Sequence, residues 1–195
     1  MNRRDLLRAM AIAGAAFMFS GAAYAACTSE VAKDDLSDDQ IVALYDCIKD
    51  SLREGYAKEG NQWTAEYPSW GATSTQPVAP GPHGGRFLNT FVNEVGHAEY
   101  VKFLDERGPM PVGTVLAKES FNVNKKNKVQ KGPLFFMEKV AAGNADEFGN
   151  WVYTVIRPDG KPHNASQKFC HDCHGAFAEQ DSMGYPDEDY RISAE

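Results

Sequence analysis

Near its C-terminus the chain reads Cys170-His171-Asp172-Cys173-His174, and this run concentrates more chemistry than any other stretch. Two cysteines three residues apart, followed at once by histidine, fit the C-x-x-C-H pattern of a covalently attached c-type haem. On adjacent helical turns the two thiols reach the vinyl groups along one porphyrin edge and become thioethers. The next side chain, His174, then offers its imidazole to the iron. Chance alone would produce the pattern at about 0.002 occurrences in a chain of this composition, so the motif is specific. Two other readings are open. Zinc could take Cys170, Cys173 and His174, with His163 or His171 as a fourth ligand. A redox-active dithiol would use the cysteines and leave His174 idle.

The two remaining cysteines, Cys27 and Cys47, lie far from this pair. Before them Arg3, Arg4 and Arg8 flank a small-residue apolar stretch that ends in Ala23-Tyr24-Ala25, the layout of a cleaved export signal over residues 1–25. Paired arginines followed by Leu6-Leu7 suit the twin-arginine route. Haem c apoproteins are threaded unfolded, which suits the Sec route, and the choice is left open. Either route predicts a periplasmic protein. In that compartment a Cys27–Cys47 disulfide is expected, closing a loop worth roughly 3 kcal/mol in the chain-entropy model. Two free thiols, or a lipidated Cys27, are the alternatives.

The rest of the chain must position these groups. Its 195 residues are 43% hydrophobic and 11% aromatic, enough to bury a core. The formal net charge of -7 argues against nucleic acid as a partner and suits a basic redox protein. Removing the leader takes three arginines against one aspartate and makes the mature chain more acidic still.

Ser37 and Gln40 form a capping box, and Ile41, Leu44, Tyr45, Ile48 and Leu52 recur at helical spacing. One amphipathic helix is therefore expected within an N-terminal extension, 26–66. Residues 67–85, rich in Pro and Gly, read as an irregular linker. From there to 195 a single domain is expected. Strands are predicted at Arg86–Val92, Thr114–Phe121, Leu134–Val140 and Trp151–Ile156, with a helix from Asn93 to about Glu106. That order gives an α+β fold, an antiparallel β-sheet with packed helices and the haem motif near its C-terminal end.

Pro111-Val112-Gly113-Thr114-Val115-Leu116-Ala117-Lys118-Glu119, the strand entry Gly149-Asn150-Trp151, and the late C-x-x-C-H followed by Asp181 resemble the cytochrome P-460 family over roughly Arg86 to Tyr190. The resemblance implies one covalent haem c, a largely β fold and a homodimer. It further implies a small nitrogen-containing ligand, hydroxylamine in the oxidising members or nitric oxide in the cytochrome c′-beta relatives. In the hydroxylamine-oxidising members the lysine of this strand is bonded to a haem meso carbon, and the matching residue is Lys118. Strand alternation puts Lys118 on one face with Thr114, Leu116 and Ser120. Phe135 and Phe136 are candidates for the distal side or for core packing, Arg86 for a propionate contact or a surface charge, and Glu119 and Glu138 are candidate proton acceptors with no position beside the iron assigned.

The rival reading is a six-coordinate electron carrier that uses Met183, Met137 or a histidine as sixth ligand. His83, His97 and His163 are expected to be surface or core residues, and His171 a spacer.

Overall fold

A computed structural model describes residues 27–78 and 82–192. The expected leader, 1–25, lies outside the described residues. Six antiparallel strands form one sheet: β1 (Gly71–Ala72), β2 (Phe87–Val92), β3 (Val115–Val123), β4 (Val129–Lys131), β5 (Leu134–Lys139) and β6 (Trp151–Ile156). Their order is β1-β2-β3-β5-β6, with β4 pairing β3 beyond the end of β5. Helices α1 (Asp38–Tyr56), α2 (Glu94–Tyr100) and α3 (Gln167–His174) pack around it, with a tight helical turn at Pro82–Gly85. The molecule is α+β, as its sequence pattern requires. No helix among the described residues is long and apolar enough to cross a membrane.

The sheet is covered on both faces, and side-chain alternation sorts the residues between them. Phe87 and Phe91 of β2, Val115, Ala117 and Phe121 of β3, and Leu134 and Phe136 of β5 face α1. The predicted stripe Ile41, Leu44, Tyr45, Ile48 and Leu52 covers them. α1 begins at the capping box, where Ser37 accepts from the Gln40 amide and the Gln40 side chain accepts from the Ser37 amide. After Tyr56 it tightens into a short 3-10 turn and stops at Gly60, whose φ of 70° suits a residue without Cβ. Cys27 and Cys47 are joined by a disulfide with Cα atoms 6.1 Å apart, which fixes the N-terminal segment to α1. The amide of Val129 donates to the Cys27 carbonyl, so the same segment also closes over β4.

Two expectations change. The linker 67–85 contains β1, which pairs with the end of β2. The helix expected to reach Glu106 ends at Tyr100. Phe103 lies at a φ of 47°, outside the helical range, and turns its ring onto Tyr100 and Tyr185. Aromatic burial there outweighs the propensity that would have extended the helix.

Candidate functional site

The second face of the sheet forms the floor of a cavity of about 1220 Å³. Drug-sized ligands occupy pockets of roughly 300–1,000 Å³, so this one admits a larger planar group. Leu88 and Thr90 of β2, Leu116 and Lys118 of β3, and Phe135 and Met137 of β5 point into it. Lys118 sits opposite Thr90 on one side and Phe135 on the other.

α3 forms the opposite wall. Its start is fixed by Ser166, whose hydroxyl accepts from the Phe169 amide. Gln167 then clamps the helix to β6: its carbonyl accepts from the Tyr153 amide and its amide donates to the Tyr153 carbonyl, each at 2.7 Å. With that clamp made, Cys170, Cys173 and His174 all line the cavity. Cys170 is half-buried, Cys173 exposed, and neither is in a disulfide. Gln167 is not legible as a site residue in the sequence, because a polar residue at the start of a helix carries no signal of the strand it will meet.

His174 is buried, and its Nδ1 lies 2.8 Å from the carbonyl oxygen of Ser182. A carbonyl only accepts, so Nδ1 carries the proton and Nε2 keeps its lone pair. Burial, then the nearby positive charge of Lys118, pushes the imidazole pKa down to about 4. The ring is therefore neutral at physiological pH.

The carbonyl that orients it belongs to a turn with Asp181 and Ser182 at φ of 55° and 62°. Asp181 holds this turn in place: its carboxylate accepts from Lys139 Nζ and from the Met110 amide, both at 2.7 Å, and its carbonyl accepts from Trp151 Nε1. The Asp181 that carries part of the sequence resemblance thus acts through the backbone next to it.

The other expected residues divide between the two faces. Phe135 faces the cavity beside Lys118, whereas Phe136 packs its ring against Trp63 and Tyr67 on the α1 side. Arg86 borders the cavity. Glu119 does not: alternation turns it to the α1 side, where it is 1% exposed and accepts from Tyr45, Tyr67 and Arg53. Glu138 pairs with Val115, on that same side of the sheet. Neither glutamate is a proton acceptor in the cavity. Met183 is fully buried against Trp151 and Tyr153 and does not line the cavity, unlike Met137. His97 bonds the Ala72 carbonyl and serves the fold. His83 lies against Phe135 with ring centres 4.6 Å apart, and so belongs to the cavity rather than to the surface.

Lys118 is half-buried among apolar walls, and among the described residues no carboxylate pairs with it. Burial pushes its ammonium pKa down from 10.5 to about 8. The folded chain therefore binds fewer protons than the unfolded chain between pH 8 and 10.5, and stability rises with pH across that window. In the chain without a prosthetic group, Lys118→Met should remove that rise. It should also add about 1–2 kcal/mol at pH 7, a figure discounted for the solvent that reaches a half-buried amine. Urea unfolding at pH 7 and pH 10 measures both effects.

The donor set decides what the cavity suits. Among the described residues no three His, Cys, Asp or Glu side chains gather to hold a metal ion directly. A dithiol centre needs a thiol of lowered pKa, yet burial and then Cys173 push the Cys170 thiol upward. Two thiols along one wall, one imidazole with a free Nε2 and a broad apolar floor fit a haem, which brings its own four nitrogen ligands. The sequence profile of the family described as Cytochrome P460 matches residues 64–183, which is more than half of the chain and includes every residue named along the cavity up to that point. No curated protein matches the chain.

Proposed function

The chain belongs to the cytochrome P460 family, and from that premise we propose that it is an exported mono-haem protein that binds or oxidises or reduces a small nitrogen ligand, nitric oxide or hydroxylamine. Proteins of this family bind a haem, and one haem c is the cofactor here. When bound, the group supplies an iron that changes oxidation state and accepts an axial ligand. In this reading Cys170 and Cys173 hold the porphyrin edge as thioethers, and His174 Nε2 is the proximal ligand. The observation that carries it is the Nδ1 donation of His174 to the Ser182 carbonyl, which leaves Nε2 for the cavity. That bond also raises the basicity of the ring and fixes its orientation.

Phe135 and Leu116 keep water from the floor of the cavity. Lys118, depressed in pKa and with no carboxylate partner among the described residues, would contact the haem edge; a bond from its amine nitrogen to a meso carbon, which the family resemblance implies, would release one proton from each atom and pass two electrons to the electron acceptor. Arg86 at the rim suits a propionate. The acidic surface suits a basic electron acceptor, and the family resemblance suits a homodimer. A carrier that uses Met183 as sixth ligand is less well supported, since Met183 is committed to the core.

The test is an absorption spectrum of the reduced protein before and after addition of nitric oxide, with peptide mapping of the haem. A shifted spectrum is expected, with haem mass on the peptide that holds Cys170 and Cys173. A joined Lys118 peptide identifies the bonded form. An unchanged spectrum turns the assignment to the electron carrier.

A further inference from the structure

The turn Pro82–Gly85 has an unusual backbone for a segment with a bulky residue. His83, Gly84 and Gly85 have φ of 72°, 73° and 64°, all in the left-handed region. Glycine tolerates that region, whereas a histidine is held there at a cost, and such residues gather at functional sites. Two cations hold the turn by its carbonyls. Arg86 donates to the His83 carbonyl and Lys33 to the Gly85 carbonyl. Gly84 next to it has a φ of 73°, a conformation that side chains other than glycine rarely adopt, so the glycine suits the turn beside the histidine.

The result is an imidazole turned inward. His83 lines the cavity, and its ring centre lies 6.0 Å from that of His174. A metal–imidazole nitrogen bond is about 2.0 Å and the ring centre lies about 1 Å further out, so two imidazoles sharing one ion have ring centres about 6 Å apart.

We propose that His83 is the sixth ligand of the resting iron, a displaceable closure of the site opposite His174. This rests on the reading of Cys170, Cys173 and His174 as the haem attachment. The His83 lone pair fills the sixth position. An entering nitrogen ligand takes that position as the bond to His83 breaks, with no change in electron count. The ligand must therefore compete with an imidazole tethered at the site, and its apparent affinity falls by the fraction of protein left open.

The experiment uses the haem-loaded full chain. The ferric protein is expected to be low-spin, with the electron paramagnetic resonance of iron held by two imidazoles. His83→Ala is expected to be high-spin and to bind nitric oxide at least about tenfold more tightly, the gain when a site less than a tenth open becomes fully open. His83→Met exchanges the imidazole for a thioether. It should stay low-spin with a sulfur-to-iron charge-transfer band, which keeps the assignment testable should the alanine variant fold poorly. A high-spin native protein, or a native low-spin spectrum retained in His83→Ala, overturns the inference. A pyridine haemochrome assay reports separately on the attachment. Absence of thioether-bound haem would overturn the underlying reading, and this inference with it.

Discussion

Purified from a host that attaches haem c, a chain carrying Cys170→Ser and Cys173→Ser should carry no thioether-bound pigment. Serine keeps the size and the helix but removes the sulfur that adds to a vinyl group. The helix should survive, because its position rests on Ser166 and on the Gln167 clamp rather than on the thiols. Acid-acetone extraction, a pyridine haemochrome spectrum and peptide mapping should find no haem on the peptide that spans positions 170–173. The single variants should each retain one thioether in part of the population. Thioether-bound pigment retained in the double variant would exclude these cysteines as the attachment points, whereas pigment on the Lys118 peptide alone would report the separate bond to that lysine.

The second large effect lies on the other side of the sheet. Glu119→Ala should destabilise the fold by roughly 3–5 kcal/mol, the range for breaking a buried charged network by deleting one partner. The carboxylate accepts from Arg53 Nε and Tyr67 at 2.8 Å and from Tyr45 at 2.5 Å. Burial first, then the charge of Glu119, raises the pKa of both tyrosines well above the usual phenol range, so both remain donors at any physiological pH. Without the carboxylate, two buried hydroxyls lose their acceptor and Arg53, partly exposed, loses its ion pair. Denaturant unfolding measures the loss. The haem spectrum of the folded variant should be unchanged, because Glu119 points away from the cavity. A catalytic Glu119 would give the opposite pattern, normal stability with altered ligand chemistry.

These two experiments separate the two faces of the sheet, and the division runs between adjacent residues of one strand. Lys118 and Glu119 are neighbours in sequence, yet one borders the cavity and the other closes the α1 core. The alternation is legible in the residue pattern, and Lys118 falls on the expected face with Leu116. Which face carries the cavity is not legible there, so Glu119 is a candidate proton acceptor on sequence alone. The packing of α1 decides against it.

Local signals behave as their physics suggests. The capping box, the apolar stripe of α1 and the strand Trp151–Ile156 each depend on neighbouring residues alone, and each lies where the pattern predicts. The end of α2 depends on a ring 82 positions away, Tyr185 against Phe103, and no local pattern marks it. β1 is invisible to periodicity because two residues hold no period.

By itself, the amino-acid sequence determined the α+β class and the family, and it marked Cys170, Cys173 and His174 as candidates, because thiol spacing and strand alternation are properties of the local chain. Only the tertiary structure decided which ring nitrogen of His174 is free, that Met183 is core, and that His83 faces the cavity. Each of those depends on groups brought together from distant parts of the chain: the Ser182 carbonyl, the Trp151 side chain, and a left-handed turn held by Lys33 and Arg86.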